Sequence, residues 1–286
     1  MSVVLWMMGA LVSFCLMAIG ARELVGEIAT FQILFFRSLI GLMVISLIIL
    51  KTKQLSLFST KRTKLHIGRN VFHFGGQYGW FIGIGLLPLA EVFALEFTVP
   101  IWTVLIAAVF LKERLAVKKV CAVLFGLIGV GVIVKPGAEL FNFASLIVLA
   151  AAICYSVSYV ATKSLSSTEN PLTILFYMCL IQLPMGLVFT GTNWVFPNQV
   201  QWLWLSVIGL TALSAHYCIT HAMKVSEAGV VVTLDFLRLP LIAMVGIIFY
   251  NESFDIALIL GATLMFLGNL INVYRPKTVS ILKRSY

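Results

Sequence analysis

Apolar residues in this chain occur in long runs, and most charged residues fall between the runs. Each run is about 20 residues long, the length that an α-helix needs to cross roughly 30 Å of hydrocarbon. Ten runs follow one another, near residues 3–21, 28–50, 66–86, 88–110, 118–135, 143–162, 171–192, 201–222, 228–250 and 255–274. The pattern predicts an all-α integral membrane protein with ten transmembrane helices. Because no Lys or Arg precedes the first run, we interpret it as a span and not as a cleaved signal peptide.

Composition supports the membrane class. The chain is 61% hydrophobic and 11% charged, whereas a soluble domain carries about 25% charged residues. The net charge of +9 does not indicate nucleic-acid binding, because the basic residues lie at the ends of apolar runs and not on one amphipathic face. The cysteines lie in or beside apolar runs without CxxC spacing, so we expect reduced thiols, no metal and no cofactor. They are Cys15, Cys121, Cys154, Cys179 and Cys218.

The distribution of positive charge predicts the orientation of the chain. Of the 20 Lys and Arg residues, 15 fall in the even-numbered links and the C-terminal tail, and only Arg22 and Lys135 fall in the odd-numbered links. Loops rich in Lys and Arg stay in the cytoplasm. Both termini are therefore predicted to be cytoplasmic, which requires an even number of spans.

The two parts of the chain resemble each other. The segments 33–42 and 174–183 share six of ten residues, and the same order of charges and aromatic residues pairs Glu96 with Asp235. We predict a first repeat over residues 1–139 and a second over residues 140–286. Because each repeat has five spans, the two repeats enter the membrane from opposite sides. Inverted repeats are found in many secondary transporters, whose substrate site lies near the midplane where the repeats meet.

Several short motifs carry a family resemblance. They are Phe35-Phe-Arg37, Pro88-Leu-Ala-Glu91, Phe97-Thr-Val-Pro100, Phe110-Leu-Lys-Glu113 and the glycines Gly126, Gly129 and Gly131. Over essentially its whole length the chain resembles the EamA branch of the drug/metabolite transporter superfamily. The resemblance implies two inverted five-helix repeats and a cavity lined mainly by spans one, three, four, six, eight and nine. It also implies transport without ATP, and the chain has no GxxxxGK[ST] loop.

One feature departs from the superfamily. Small multidrug transporters of the superfamily carry a glutamate in their first helix, whereas the first and sixth spans of this chain contain no ionisable Asp, Glu, Lys, Arg or His. Coupling through such a glutamate is therefore not predicted.

Polar side chains inside the spans are the candidate site residues, because a charge in the bilayer centre is costly and faces protein or water. In the third span, Arg69, His73, Gln77 and Trp80 fall on one helical face. We interpret the last three as a cavity wall, with an interhelical hydrogen-bond seam as the alternative. Arg37 in the second span either ties helices together or binds an anion.

The second repeat supplies further candidates. In the eighth span, His216 and Tyr217 are cavity candidates, and a histidine could carry a coupling proton; ordinary packing is the alternative. In the ninth span, Asp235 and Arg238 are neighbours on one face. Arg238 either forms a local pair with Asp235, joins Glu96 across the cavity, or holds a substrate carboxylate.

Two aromatic residues and four acids complete the set. Tyr155 and Tyr159, four residues apart in the sixth span, form an aromatic wall or pack between helices. Glu96 is the deep acid of its span, and Pro100 frees its carbonyl from the usual helical bond. Glu91 reaches interfacial water, and Glu113 and Glu252 are interpreted as helix-end residues.

These observations predict a secondary-active permease of the bacterial inner membrane that moves a small organic metabolite by alternating access. An amino acid or amino-acid derivative is the first interpretation of the cargo. A nucleoside-like or vitamin cargo, such as S-adenosylmethionine or riboflavin, is the second. A receptor or scaffold would bind without flux. The absence of HExxH and GxSxG motifs argues against an enzyme. We expect a monomer or homodimer in the lipid bilayer, with a small-molecule substrate.

Overall fold

The computed structural model describes residues 3–110, 117–134, 143–191, 194–225, 234–235, 237–253 and 255–273. Within these residues the regular elements are all helical. They are α1 (Val3–Glu23), α2 (Thr30–Lys51), a 3₁₀ turn (Leu55–Phe58), α3 (Thr63–Leu86), α4 (Leu89–Glu96), α5 (Val99–Phe110), α6 (Val117–Val134), α7 (Phe143–Ser166), α8 (Pro171–Thr190), α9 (Gln199–Val225), α10 (Arg238–Tyr250) and α11 (Ile256–Val273). The predicted all-α class is confirmed for this part of the chain, and most predicted spans match these bounds within a few residues.

Length and apolar composition make five of the described helices able to cross a membrane: α1, α2, α7, α8 and residues 199–222 of α9. Shorter apolar helices occur at Val123–Ile133, Arg238–Tyr250 and Ile256–Gly268. Large apolar side chains also cover the outside of the bundle; Leu47, Val188 and Ile248 are 52%, 72% and 70% exposed. An apolar outer surface of this kind fits a lipid environment. The full set of ten spans stays a prediction.

The fourth predicted span consists of two helices. Helix α4 ends at Glu96 and α5 begins at Val99, because Pro100 has no N–H to continue the helical bonds. The side chain of Thr98 holds the break: its Oγ1 donates to the Leu95 carbonyl at 2.7 Å and accepts from Trp102 Nε1 at 2.9 Å. The break therefore places the Glu96 carboxylate at the end of a helix inside the bundle.

The ninth predicted span is described only in part. Residues 234–235 are helical, Leu237 precedes α10, and α10 begins at Arg238. Residues 228–233 of this predicted span lie outside the described residues. Asp235 thus belongs to the short described helical stretch 234–235, and Arg238 is the first residue of α10.

Helix packing joins the two predicted repeats. The most extensive pairs are α1 with α9, α3 with α7, α2 with α8, and α6 with α11, and α4 packs on α10. Each pair takes one helix from each predicted repeat, and exchanging the repeats reproduces the same set of pairs. Two-fold related repeats would pack in this way. The inverted repeat and its boundary at residues 139 and 140 stay predictions, and that boundary lies outside the described residues.

Glycine permits a close crossing of α6 and α11. A Cβ on Gly129 of α6 would lie 2.6 Å from the carbonyl oxygen of Gly261 of α11, and a Cβ on Gly261 would lie equally close to the Gly129 carbonyl. Small residues at such crossings let helix backbones approach closely within a membrane. A larger residue at either position would push the two helices apart.

Candidate functional site

A central cavity lies between the helices of the two predicted repeats. The space between atoms in it, including its open mouth, is about 980 Å³. Helices α1, α3, α4, α7, α9 and α10 all contribute to its wall, and Arg37 of α2 with Ile174 and Leu175 of α8 add two helices that the family resemblance did not lead us to expect. Predicted site residues among its lining are Arg37, His73, Gln77, Trp80, Glu96, Tyr155, Tyr159, His216 and Arg238.

A charged cluster lies where α4 ends and α10 begins. Arg238 Nη2 donates to Asp235 Oδ2 at 2.9 Å and to Glu96 Oε1 at 3.2 Å. The arginine side chain is 3% exposed and the two carboxylates are 13–17% exposed. Trp80 Nε1 donates to the other oxygen of Glu96 at 2.9 Å. The local pair and the link to Glu96 that the sequence offered as alternatives are therefore present together.

Aromatic rings surround the Arg238 guanidinium. Its carbon lies 4.5 Å from the centroid of the Phe14 ring, 5.0 Å from that of Phe93 and 5.1 Å from that of Phe97. Rings at this distance attract a cation and also keep water away from it. The three charged side chains amount to one positive and two negative charges, so the cluster carries a formal charge of −1.

The polar face of α3 faces the cavity along its length. Arg69, His73, Gln77 and Trp80 all line it, as their helical spacing predicts. Gly76 on the same helix leaves room for the Tyr155 ring, which a Cβ at position 76 would meet at 2.9 Å.

A second polar network lies beside this face, and its members carry no negative charge. Gln182 of α8 donates from Nε2 to His73 Nδ1 at 2.9 Å, and its Oε1 accepts from Arg37 Nη1 at 3.4 Å. Arg69 donates to Asn70 Oδ1 at 2.6 Å and to Thr162 Oγ1 at 3.0 Å. Because Nδ1 of His73 accepts here, its ring proton lies on Nε2.

Sequence analysis missed two members of this network, Asn70 and Gln182. Both are fully buried. Each is a polar residue within an apolar run, which is the same signal that singled out His73 and Gln77. Asn70, however, lies off the helical face that we followed, and Gln182 lies in a span that we did not expect at the cavity.

The two candidates of the eighth predicted span, His216 and Tyr217, lie in different places. His216 lines the cavity, and its ring centroid lies 5.1 Å from that of His73 and 6.0 Å from that of Phe14. Tyr217 is not among the cavity-lining residues that the structure describes; its ring packs against Trp6 at 5.9 Å and His221 at 4.4 Å. One residue along a helix is a rotation of about 100°, which turns Tyr217 towards α1.

At the end of the helix bundle opposite Ser166, an ion pair links α1 to the residues that follow α10. Arg22 Nη2 donates to Glu252 Oε1 at 2.6 Å and to the Leu87 carbonyl at 2.9 Å. Glu252 Oε2 accepts from the Leu89 N–H at 2.9 Å. Glu252 thus lies just after α10, as predicted, and additionally caps the N-terminus of α4. Glu113, its predicted counterpart, lies outside the described residues.

Phe81 lies between two hollows. It lines the central cavity and also a second hollow near the Arg22 end, with Ala21, Gly26 and Ile33. The side chain is 4% exposed. It therefore stands between the cavity and this end of the bundle.

No metal site accompanies the cavity within the part of the chain that the structure describes, where no group of three His, Cys, Asp or Glu residues comes together. The cysteines are free thiols.

A family model and several curated relatives with transporter names match this chain. The model of the EamA-like transporter family matches residues 1–135 and 142–274. A protein named S-adenosylmethionine uptake transporter from Rickettsia bellii is 23% identical over 272 residues, which cover 95% of this chain and 93% of the relative. A riboflavin transporter from Vibrio cholerae is 30% identical over 209 residues, or 67% of this chain and 70% of the relative.

A solved crystal structure shares the fold. Its chain is 20% identical, with a TM-score of 0.68, and the match covers 95% of this chain and 96% of the other.

Proposed function

The chain belongs to the EamA-like transporter family, and from that premise we propose that it takes up S-adenosylmethionine, or a closely related nucleoside metabolite, across the bacterial inner membrane. The observation that carries the proposal is the central cavity, which holds buried arginines, the partly exposed Glu96 carboxylate and aromatic rings between the two predicted repeats. A cargo with a charged part and a planar part fits such a wall. The full-length similarity to the Rickettsia transporter supports this cargo.

The relatives favour the nucleoside-like or vitamin cargo over the amino acid that the sequence analysis placed first. The names of the similar proteins include S-adenosylmethionine and riboflavin. Riboflavin is the second candidate, since the Vibrio relative is 30% identical over two thirds of this chain.

We further propose that transport proceeds by alternating access. The cavity extends past Tyr159 and Thr162 to Ser166, at the end of the bundle where α7 ends. Positive charge predicts that this end faces the cytoplasm. The Arg22–Glu252 ion pair lies at the other end. This arrangement corresponds to a conformation that opens inward. If each repeat adopted the conformation of the other, the cavity would open outward.

Uptake into right-side-out vesicles tests the proposal. Labelled S-adenosylmethionine, riboflavin and a panel of amino acids are supplied one at a time, with empty vesicles as the control. Accumulation of S-adenosylmethionine above the control is the expected result. Riboflavin or amino-acid accumulation alone would replace the proposed cargo, and tight binding without flux would favour the receptor or scaffold.

Two further measurements settle coupling and orientation. A proton uncoupler abolishes uphill uptake if a proton is the coupling ion, and leaves counterflow of preloaded cargo intact if the protein exchanges substrates. A reporter fused within the loop 51–64 gives a cytoplasmic signal if both termini are cytoplasmic. A periplasmic signal there would overturn the orientation.

A further inference from the structure

Two guanidinium groups lie in one region of the cavity wall. Arg37 comes from α2 and Arg69 from α3, and both line the cavity although each is only 4% exposed. Gln182 and Asn70 connect them: Gln182 accepts from Arg37, Asn70 accepts from Arg69, and the two amides lie 3.5 Å apart. We call these two arginines the cationic pole of the cavity.

The partners of the cationic pole are all neutral. Arg69 bonds to an amide and to the Thr162 hydroxyl, Arg37 bonds to an amide at the long distance of 3.4 Å, and the buried Nε of Arg37 has no partner. Among the described residues no carboxylate lies within ion-pair distance of either guanidinium. Neutral partners satisfy donors but do not balance charge, and buried charge is normally paired.

The opposite charge lies elsewhere, where Glu96 and Arg238 line the cavity. Asp235 is not among the described lining residues, but it is paired with Arg238. The cluster of Glu96, Asp235 and Arg238 holds two carboxylates and one guanidinium. The cavity therefore has two unlike poles, with an excess of positive charge at one and an excess of negative charge at the other. Tyr155 and Trp80 line the same cavity.

A ligand of complementary polarity would balance both poles. We propose that Arg37 and Arg69 bind the carboxylate of the cargo, while a cationic part of the same molecule lies towards Glu96 and Asp235. This proposal rests on the proposed transport function and narrows it, because it requires the cargo to carry an anionic oxygen group. A neutral vitamin such as riboflavin lacks that group, whereas S-adenosylmethionine has a carboxylate together with amino and sulfonium cations.

Chemistry and position both suit the role. Arginine presents a planar fork of donors that matches a carboxylate, and it stays charged at any working pH. Ser158, Thr162 and Ser166 follow one another at four-residue steps along α7 and line the cavity beside Arg69. They form a row of hydroxyl groups that leads from the end of α7 to the cationic pole.

Matched ligands provide the test. Binding to the purified full-length protein is measured for S-adenosylmethionine against decarboxylated S-adenosylmethionine, and for riboflavin against its 5′-phosphate. The first pair differs by a carboxylate and the second by a phosphate. We expect the carboxylate to tighten binding to the unmodified protein by at least about tenfold, the worth of one or two hydrogen bonds to a charged group.

Variants then assign the effect to the arginines. Arg37→Gln and Arg69→Gln should each weaken S-adenosylmethionine binding by at least about tenfold and change binding of the decarboxylated compound by less than about threefold. Arg37→Lys keeps the positive charge and serves as a control for a folding defect in Arg37→Gln. Arg62→Gln is the matched control, because Arg62 lies outside the cavity, where it bonds to Ser164 and Thr168.

The outcomes separate the two proposals. If the arginine variants bind S-adenosylmethionine and its decarboxylated form with equally reduced affinity, the arginines hold helices together and the anion site is wrong. That result would not contradict the proposed transport function. If only riboflavin 5′-phosphate binds in a way that depends on the arginines, the anion site stands, and its ligand is a phosphate and not a carboxylate. If none of the four compounds binds or crosses the membrane, the proposed cargo and the anion site both fail.

Discussion

Arg238 and Arg37 lie on the same cavity wall and are almost equally buried, at 3% and 4% exposure. Arg238 is held between two carboxylates and stacked among aromatic rings, whereas Arg37 has one long bond to an amide. Arg22, at the far end, is intermediate, with one carboxylate and a side chain that is 20% exposed. The comparison teaches that burial alone does not define an arginine's role; the charge of its partners does.

Removing Arg238 is expected to have the largest effect. Arg238→Gln leaves the two carboxylates of Glu96 and Asp235 buried without a cation, which costs about 3 kcal/mol of stability. Unfolding of the purified protein in mixed micelles measures the loss. The triple variant that adds Glu96→Gln and Asp235→Asn should recover most of it, because no unbalanced charge remains. A triple variant as unstable as the single one would show that packing, and not charge, holds the cluster.

Neutralising Glu96 comes next. Glu96→Gln still offers an oxygen to Trp80 but removes the negative pole, so we expect transport to fall by at least about tenfold at equal protein level. Glu91→Gln on the same helix is the control, since Glu91 accepts a hydrogen bond from Ser145 at 3.0 Å and does not line the cavity. Glu113→Gln, at a position beyond the described residues, should also have a smaller effect. Equal losses of transport in Glu96→Gln and the two control variants would mean that the position of the acid along the span does not matter for transport.

Loosening the Arg22 pair should have an intermediate effect. Glu252→Gln weakens a partly exposed ion pair and the cap of α4. The ion pair contributes up to about 1 kcal/mol to keeping the outer end closed, so its loss would shift the ratio of inward-open to outward-open molecules severalfold. The measurement is the labelling of Phe81→Cys by an impermeant thiol reagent added outside, with the five native cysteines replaced. The same labelling without the Glu252 change is the control. Unchanged labelling would show that this ion pair does not hold the outer end closed.

Changing the aromatic wall should have the smallest effect. Tyr155→Phe keeps the ring that packs against His73, at 5.6 Å between centroids, and should change transport by less than about threefold. Gly76→Ala should cost more, because the new Cβ would push the same ring towards the cavity. A greater loss from Tyr155→Phe than from Gly76→Ala would indicate that the hydroxyl group, and not the ring, contacts the cargo.

Sequence and structure agree where the residues that carry the pattern all lie in one span. The spacing of His73, Gln77 and Trp80 predicted a shared face, and the structure places all three at the cavity. Pro100 predicted loosened backbone near Glu96, and the structure shows a helix that ends there. Tyr217 was less predictable, because it lies next to His216 and either residue could face the interior.

Local pattern determined the helices, their approximate ends and the loosened backbone at Pro100, since each follows from hydrophobicity and backbone chemistry within one segment. Only the tertiary structure decided which polar groups meet. Arg238 reaches Glu96 across 142 positions of sequence, and Gln182 reaches Arg37 across 145. Helical periodicity selects the face of a helix that turns inward, but the helix packed opposite that face supplies the partner. For that reason the charge balance of each arginine appears only when helices from both predicted repeats are assembled.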